Sequence, residues 1–277
     1  MGCICSKDCS IAYGSSFALK FPHGKEGIEY SDDFSGFIPV RDISKWIDSL
    51  YKKEWKHWIL YNDDMDDSKN TKGHCKGILA WNNECISWMC HSVPRFPKMF
   101  GNFEIDEGEL IYGQSFYHIL LPYHNDTLIS IVQQLYIMEA SMYCKHTDLY
   151  FPQKKNENIN TIVLNDSVSH IAKSPHCHID IYDDCIAERY KFKWRVETWK
   201  RGHEIVKETN MKDISLLQYE KREYSEKQDH SKWCVSDDEY FLVGDLNRMT
   251  TQFKRGGGGF LCKNKNIAEA LRSLIKQ

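Results

Sequence analysis

The stretch DHSKWCVSDDEYFLVGDLNR (residues 229–248) places a histidine two residues before a lysine, directly ahead of a short apolar run. Alternate residues of a strand point to the same face, so His230 and Lys232 would converge on one spot with Ser231 turned away. An imidazole and an ammonium placed together could hold a phosphate. A solvated histidine and lysine in a loop is the alternative, and a single H-x-K cannot decide between the two.

A second copy of the pattern lies in GHCKGILAWNNECISWMCHSVPRFP (residues 73–97), where His74 precedes Lys76. His91 follows His74 by 17 positions, and Asn247 follows His230 by the same 17. Each unit reads as H-x-K, a strand, a polar turn, a second strand and a polar side chain. This matched context predicts a duplicated unit and a paired phosphate site.

Two imidazoles facing one phosphodiester suit a double displacement, in which one histidine attacks phosphorus and the other protonates the leaving oxygen. The two lysines would neutralise the non-bridging oxygens, a role that a metal ion otherwise fills, so neither a metal nor a cofactor is expected. His91 and Asn247 could donate further hydrogen bonds to the phosphate. The segment KRGGGGF (residues 254–260) adds Arg255 and a flexible glycine run whose N–H groups could approach a phosphate. Either histidine could be the nucleophile.

The composition predicts a globular protein with a sizeable core, since 42% of the 277 residues are hydrophobic and 13% are aromatic. A net charge of −3 argues against a generally basic nucleic-acid binder at neutral pH. Protonation of all 12 histidines would raise the charge to +9 as an upper bound, which would attract a polyanion in acid. No run of about 18 apolar residues predicts a membrane span. One His-Cys-His cluster (residues 176–178) lacks the second knuckle that a structural zinc site needs.

Hydrophobic periodicity predicts the main elements. Strands are expected at 17–22, 57–61 and 76–91, with Asn82-Asn83 turning a hairpin, and at 191–199; helices are expected at 42–55 (capped by Asp42), at 126–143 (capped by Asp126), from 183 and at 266–276. The polar stretch 151–160 is a plausible seam between halves. Trp194 and Trp199 lie on opposite faces of their strand and cannot both be core, so one is expected to stack on bases or to pack against a helix.

The N-terminal MGCICS matches the N-myristoylation pattern at Gly2, with Cys3 and Cys5 placed for palmitoylation. Two acyl chains would anchor the chain stably to a membrane. A truncated start is the alternative interpretation. As written, the sequence has no apolar segment typical of a secretory signal peptide.

Six segments are similar, in order and spacing, to motifs of the deoxyribonuclease II family: GHCKGILAW, HSVPRFP, YGQSF, DHSKWCVS, GDLNR and RGGGGFLC. The resemblance runs from about residue 5 to residue 276. It implies an α+β, pseudo-dimeric phospholipase D-like fold, with two α-β-α halves that each have a mixed central sheet and an active site at their interface. The halves would span residues 17–124 and 125–277, after an N-terminal segment 1–16.

The resemblance also implies a function: metal-independent endonucleolytic cleavage of double-stranded DNA, best in acid, leaving 3′-phosphate and 5′-hydroxyl ends. The implied catalytic set is His74, Lys76, His230 and Lys232, and His91 and Asn247 also match family positions. Two alternatives stay open, a phospholipid phosphodiesterase and a DNA- or phosphate-binding protein without turnover. A homodimer is also left open.

The cysteines depart from the family pattern. Cys5 and Cys262 match family half-cystines, but their partner positions are His118 and Leu242 here, so two bridges are absent; a pairing of Cys234 with Cys262 stays open. The resemblance favours an acidic, lysosome-like compartment. The missing bridges leave a reducing location conceivable, at the cytosolic face of a membrane.

Overall fold

The computed structural model describes residues 13–31, 36–65, 73–148, 157–199 and 209–276. The first sheet contains β1 (Gly14–Lys20), β2 (Gly27–Ser31), β3 (Ile38–Val40), β4 (His57–Asn62), β5 (Lys76–Trp81), β6 (Cys85–His91), β7 (Gln114–Pro122) and β8 (Met142–His146). The second sheet contains β9 (Ile159–Asn165), β10 (Val168–Lys173), β11 (Trp194–Thr198), β12 (Met211–Asp213), β15 (Lys232–Ser236), β16 (Tyr240–Gly244) and β17 (Gly257–Lys263). A separate hairpin pairs β13 (Leu216–Tyr219) with β14 (Arg222–Ser225). The helices are α1 (Ile43–Leu50), α2 (Asn125–Ile137), α3 (Lys265–Ser273) and a π-helical segment, Ile181–Ala187.

The two sheets share an arrangement of five strands. Their orders are β3-β2-β1-β7-β6-β5-β4-β8 and β12-β11-β15-β16-β17-β10-β9. Within them, β4-β5-β6-β7-β1 and β11-β15-β16-β17-β10 have the same order, and every neighbouring pair in both runs is antiparallel. The β5–β6 and β15–β16 hairpins, which follow the two H-x-K motifs, are therefore equivalent elements.

The class is α+β, as expected, but one part of the fold prediction is wrong. The second sheet is mixed, because β12 runs parallel to β11. The first sheet is antiparallel in all of its described pairs, so a mixed sheet is not present in each half.

The main core lies between the two sheets. Trp88 of β6 packs edge-on against Phe260 of β17, with ring centroids 4.7 Å apart, and Phe17 of β1 contacts Phe241 of β16 at 6.2 Å. The apolar sides of α2 and α3 complete this core. The α1 helix covers the outer face of the first sheet, and the π-helical segment covers that of the second. The interior is thus built from two sheets packed face to face.

The predicted helix at 126–143 is too long and its predicted cap is wrong. The α2 helix ends at Ile137, and its N-cap is His124 rather than Asp126. Glu139 adopts a left-handed φ of 50°, which ends the helix. The chain then returns as β8 to the edge of the first sheet, beside β4, although α2 itself packs against β9 and β10. The helical spacing of apolar residues continues in the sequence beyond the end of α2, and neither Gly nor Pro marks that end.

The other predicted elements are found with shifted bounds. The α1 helix is capped by the Asp42 side chain, as predicted, but ends at Leu50. In the β5–β6 hairpin, the Asn82 side chain accepts from the N–H groups of Glu84 and Cys85, both at 2.9 Å. The chain passes from the first sheet to the second between His146 and Ile159, across the polar stretch that suggested a seam. Much of that stretch, and the acylation pattern at Gly2, Cys3 and Cys5, lies outside the described residues.

The pairing of Cys234 with Cys262 is wrong. Both thiols are free, as are the other six cysteines that the structure describes. Cys234 lies on β15 and Cys262 on β17, with β16 between them, and the two side chains belong to cores on opposite faces of the sheet. That separation exceeds what a disulfide can span. Within the described residues no helix is long and apolar enough to cross a membrane.

Candidate active site

The two H-x-K motifs enter equivalent strands, and each motif is supported by a loop of the other sheet. Lys76 is the first residue of β5, and Lys232 is the first residue of β15. The backbone N–H of His74 donates to the carbonyl of Gly256, before β17, at 2.7 Å. The backbone N–H of His230 donates to the carbonyl of Gly113, before β7, at 2.9 Å. Both motifs therefore lie where the two sheets meet.

The His74 imidazole is held by a carboxylate at the end of β4. Its Nδ1 lies 2.8 Å from Oδ2 of Asp63, and the ammonium of Lys76 contacts the other oxygen of the same carboxylate. Lys76 also pairs with Asp64 at 2.9 Å, and Nη2 of Arg255 reaches Asp63 at 2.9 Å. Burial alone would raise the pKa of Asp63, but Lys76 and His74 outweigh it and hold that pKa below its ordinary value. Asp63 is thus an ionised acceptor for three donors.

The His74 ring is neutral above about pH 4. Burial, opposed by Asp63 and assisted by Lys76 and Lys232, lowers its pKa to about 4. With Asp63 ionised, the hydrogen-bond network assigns the proton to Nδ1, which leaves a lone pair on Nε2. That Nε2 atom is buried and has no hydrogen-bond partner among the described residues. The lone pair is therefore available to an electrophile.

His230 lies in a different environment, between two aromatic rings. Its ring stacks on Tyr112 with centroids 3.9 Å apart and planes 14° apart, and Trp199 covers it at 4.0 Å. The Nδ1 atom is 4.0 Å from Oε2 of Glu109, whose other oxygen is held by Arg95 at 2.9 Å. Aromatic faces attract a cation. Two aromatic faces and one carboxylate therefore surround the His230 ring.

The two lysines are electrostatically coupled across the sheets. Burial and the nearby Lys76 together lower the pKa of Lys232 to about 8, against Asp63 and Asp245. Burial would also lower the pKa of Lys76, but Asp63 and Asp64 raise it above its ordinary value. Lys232 donates to the carbonyl of His230 at 2.8 Å. The two motifs thus concentrate positive charge in one buried place.

His91 is the last residue of β6, whereas Asn247 lies three residues beyond the end of β16. His91 is 1% exposed, and neither ring nitrogen has a hydrogen-bond partner among the described residues. Burial lowers its pKa to about 3, and Lys76 and Lys232 contribute to this shift. The Oδ1 atom of Asn247 is also buried without a partner in the described part of the chain. Buried polar atoms without partners are rare and often mark a ligand site.

The glycine run is not a flexible phosphate-binding loop, which corrects the sequence interpretation. Gly257–Lys263 is β17, a central strand paired with β10 and β16. A Cβ on Gly256 would lie 2.1 Å from the carbonyl oxygen of Met138, so glycine is needed there for close packing. Gly258 N–H donates to Asp245 at 3.1 Å. Arg255 is engaged with Asp63 and, at 2.5 Å, with the carbonyl of Gly73.

Sequence reasoning missed Asp63, and it named Trp199 only as a side chain that would stack on bases or pack against a helix. Asp63 and Trp199 each follow the strand that pairs with the lysine of its own motif: Asn62 of β4 pairs with Lys76, and Thr198 of β11 pairs with Lys232. Comparing the residues that end these two strands could have found both. Trp194 is buried in the outer core, so one tryptophan of the pair is core and the other is not.

Asp245, in GDLNR, was treated only as part of a motif. Its side chain accepts from the backbone N–H of Lys76 at 3.3 Å and so links the two sheets beneath the site. Burial raises its pKa to about 7.

Among the described residues, no group of three or more histidine, cysteine or acidic side chains is arranged to hold a metal ion.

Comparison with known proteins identifies the family. The sequence model described as Deoxyribonuclease II matches residues 41–277. The chain belongs to the deoxyribonuclease II family. The recognition from the motifs is therefore confirmed, and this family of hydrolases is the context for the two H-x-K motifs.

Three relatives illustrate the similarity of this deoxyribonuclease II family member to others. Mouse deoxyribonuclease-2-beta is 29% identical over 250 residues, which cover 78% of this chain and 69% of the mouse protein. Cell-death-related nuclease 7 of Caenorhabditis elegans is 25% identical over 297 residues, covering 92% and 79%. Human deoxyribonuclease-2-beta is 29% identical over 252 residues, covering 79% and 69%.

Proposed function

We propose that this protein is an endodeoxyribonuclease that hydrolyses DNA phosphodiester bonds in acid, without a metal ion, through a covalent phosphohistidine. The catalytic residues are His74, Lys76, His230 and Lys232. The single observation that carries the proposal is the bracing of each H-x-K motif by the other sheet, through the backbone hydrogen bonds from His74 to Gly256 and from His230 to Gly113. Membership of the deoxyribonuclease II family supports the choice of DNA as substrate.

His74 is the nucleophile in this proposal. Its Nε2 lone pair attacks phosphorus while Asp63 holds the proton on Nδ1, so the positive charge that develops on the ring is stabilised by an ionised carboxylate. The P–N bond forms as the bond from phosphorus to the 5′ oxygen breaks. His230 donates its proton to that leaving oxygen, which becomes the 5′ hydroxyl.

The second half of the reaction reverses the role of His230. The neutral ring takes a proton from a water molecule whose oxygen attacks phosphorus, and the P–N bond breaks to leave a 3′ phosphate. His74 returns to its starting state, and His230 is again protonated. A group that acts first as acid and then as base must change its charge readily. The aromatic enclosure of His230 at 3.9 and 4.0 Å supports this role.

The lysines stabilise the charge on the non-bridging oxygens. Each ammonium has three N–H donors, and Lys76 uses two on carboxylates while Lys232 uses one on the His230 carbonyl, counting contacts within the described residues. The remaining donors can reach a phosphate in a buried, preorganised setting, where such contacts are strongest. His91 can bind the phosphate through the N–H of its neutral ring, since neither ring nitrogen has a partner among the described residues. Asn247 can bind it only through its amide N–H groups, because its unpartnered Oδ1 is an acceptor. Arg255 supports the phosphate site chiefly through Asp63.

Charge explains part of the preference for acid. Four histidines (His74, His91, His118 and His170) have pKa values lowered to about 3 or 4 by burial, so they stay neutral at pH 5. The upper bound on net charge therefore falls by four, from +9 to +5. A protein with this charge still attracts a polyanion, whereas at neutral pH its charge is −3.

We also propose that the chain is a pseudo-dimer of two phospholipase D-like halves. The shared five-strand order and the equivalent hairpins support this architecture. The predicted division between residues 124 and 125 falls just before α2. This helix packs on the second sheet, but β8, which follows it, joins the first sheet.

The test is nicking of supercoiled plasmid by purified protein in EDTA between pH 4 and pH 8. We expect cleavage in chelator that is fastest in acid and is abolished by His74→Ala and by His230→Ala. His178→Ala, at an exposed histidine, is the matched control and should cleave normally. A requirement for Mg²⁺, or survival of activity in both site variants, would refute the mechanism. Binding without cleavage at every pH would indicate a protein without turnover.

A further inference from the structure

Two fully buried lysines outside the H-x-K motifs each donate to three backbone carbonyls. Lys20 is 1% exposed, and its Nζ donates to the carbonyls of Phe21 at 2.9 Å, Gly24 at 2.9 Å and Leu110 at 3.0 Å. Lys173 is 0% exposed, and its Nζ donates to the carbonyls of Ser174 at 3.5 Å, Phe253 at 3.1 Å and Arg255 at 2.6 Å. Lysines are almost never fully buried without an ionic partner, so two such sites need an explanation.

The two lysines occupy equivalent positions in the two sheets. Lys20 is the last residue of β1 and pairs with Gln114, the first residue of β7. Lys173 is the last residue of β10 and pairs with Gly257, the first residue of β17. Each also donates to the next residue in sequence and to the carbonyl four residues before its strand partner. The strand register and the accepting carbonyls match, so the same lysine arrangement is present once in each sheet.

Each lysine holds the loop that supports the histidine of the other sheet. Leu110 precedes Tyr112, which stacks on His230, and Gly113, which accepts from the His230 N–H. The same arrangement recurs around Lys173. Phe253 precedes Arg255, which pairs with the carboxylate that holds His74, and Gly256, which accepts from the His74 N–H.

We propose that Lys20 and Lys173 are positioning residues, each of which fixes the loop that orients the catalytic histidine of the opposite motif. This inference rests on the proposed function. Lys20 acts on His230 through Tyr112 and Gly113, and Lys173 acts on His74 through Arg255 and Gly256. A misplacement of about 1 Å in a catalytic group costs on the order of 10²-fold in rate, so these loops must be held firmly.

The electrostatics around each lysine fit an ammonium group that is held by the dipoles of three backbone carbonyls. Burial lowers the pKa of Lys20 to about 8, opposed by Asp229 and Glu109. Burial lowers the pKa of Lys173 as well, opposed by Cys177, Cys185 and Asp180. These are the titratable groups that act on the two ammonium groups. Both lysines are charged in acid, the pH range in which the proposed enzyme acts.

The experiment compares Lys20→Met and Lys173→Met with the unaltered protein and with Lys45→Met, at an exposed lysine of α1. The readout is kcat for DNA cleavage in EDTA across pH. A 10-fold or greater loss is expected in both site variants, since about 10²-fold accompanies a 1 Å misplacement. Lys20→Met should also move the alkaline limb of the pH profile to lower pH, because His230 loses its ring support. Lys173→Met should instead move the acid limb to higher pH, because His74 loses its surroundings.

Shifts in the acid and alkaline limbs of the pH profile distinguish a positioning role from a general loss of stability. If both variants lower activity without moving either limb, or move the same limb, the inference is wrong. Should a methionine variant not fold, Lys20→Gln and Lys173→Gln retain amide donors and face the same test. Lys→Arg at either position retains the charge and several donors, so it should restore the affected limb in part. An inactive unaltered protein would overturn the proposed function itself, whereas active protein with normal lysine variants would overturn only this inference.

Discussion

Asp63 and Trp199 occupy equivalent positions in the two sheets, and each contacts the histidine of its own H-x-K motif. Asp63 lies 2.8 Å from Nδ1 of His74, and Trp199 covers the His230 ring at 4.0 Å. One framework therefore presents a carboxylate to one imidazole and an indole to the other. The carboxylate fixes a tautomer, while the indole places an aromatic face against the other ring. This difference separates the roles of two residues that the sequence pattern alone makes equal.

The different roles can be tested with a substrate whose leaving group needs no proton. On bis(4-nitrophenyl) phosphate, His230→Ala should release a burst of about one nitrophenolate per active site and then stall, because the nucleophile is intact and water is not activated. His74→Ala should give no burst. Rapid-quench or stopped-flow absorbance measures the amplitude. A burst in His74→Ala, with none in His230→Ala, would reverse the assignment.

Replacing the carboxylate that holds His74 should impair the chemical step. Asp63→Asn keeps the shape of the side chain but loses the charge that fixes the Nδ1 proton, so kcat should fall roughly 10²- to 10⁴-fold, as for other orienting carboxylates. Asp64→Asn is the control, since Asp64 contacts Lys76 but has no contact with His74 among those described. Steady-state nicking rates report the effect. Equal losses in the two variants would contradict a specific role for Asp63.

The pH dependence of cleavage should be bell-shaped. Below about pH 4, His74 takes up a proton on Nε2 and cannot attack, because its pKa is about 4. On the alkaline side, activity should fall as His230, the proposed general acid, loses its proton. It cannot persist far above pH 8 in any case, because the pKa of Lys232 is lowered to about 8 and its charge is lost there. Initial rates at constant ionic strength between pH 3 and pH 9 provide the test. Rates that stay level from pH 8 to pH 9 would exclude a need for the Lys232 charge.

Removing the indole beside His230 should narrow the profile on its alkaline side. A cation–π contact contributes about 0.5–2 kcal/mol, so Trp199→Ala should move the alkaline limb down by about 0.4–1.5 pH units. Tyr112→Phe keeps an aromatic face against His230 and should leave that limb in place. An unchanged limb in Trp199→Ala would show that the ring merely fills space.

A buried histidine away from the site should reduce stability in acid. His118 hydrogen-bonds Ser87 at 2.8 Å, and burial lowers its pKa to about 4 from an ordinary 6.5. Between pH 4 and pH 6.5, His118 is protonated in the unfolded chain but neutral in the folded chain. Its contribution to stability is therefore fully present above pH 6.5 and is lost as the pH falls towards 4.

His118→Gln removes this titration. Relative to the unaltered protein, the variant should gain about 1.4 kcal/mol of unfolding free energy per pH unit as the pH falls from 6.5 to 4. Urea denaturation at pH 7, 5.5 and 4.5 measures the difference, with His178→Gln at an exposed position as control. Parallel stability curves for His118→Gln and the unaltered protein would contradict the prediction.

Sequence patterns predicted the elements that carry the motifs, because hairpins are encoded locally. Alternating apolar residues around Asn82 give β5 and β6, and the equal spacing to His91 and Asn247 identifies their counterpart. The end of α2 was not predictable in this way, since Glu139 takes up a left-handed conformation with no glycine to signal it.

Contacts between the ends of neighbouring strands were also beyond the sequence patterns. Asp63 and Trp199 precede the lysines that they face by 13 and 33 positions, and nothing local indicates which side chain will lie over an imidazole. The glycine run was misinterpreted for the same reason. Glycine permits a flexible loop, but it also permits the close approach of Met138 to Gly256, and only tertiary packing decides between them.

The hydrogen bonds from His74 to Gly256 and from His230 to Gly113 affect the order of events during folding. A nascent chain with only its first sheet formed already carries His74 and Lys76, but the strand that should brace them has not been synthesised. His74 is braced only when β17, the last strand of the described chain, joins the second sheet, whereas His230 is braced by Gly113, which is synthesised earlier. A site that needs both motifs is therefore complete only at the end of folding.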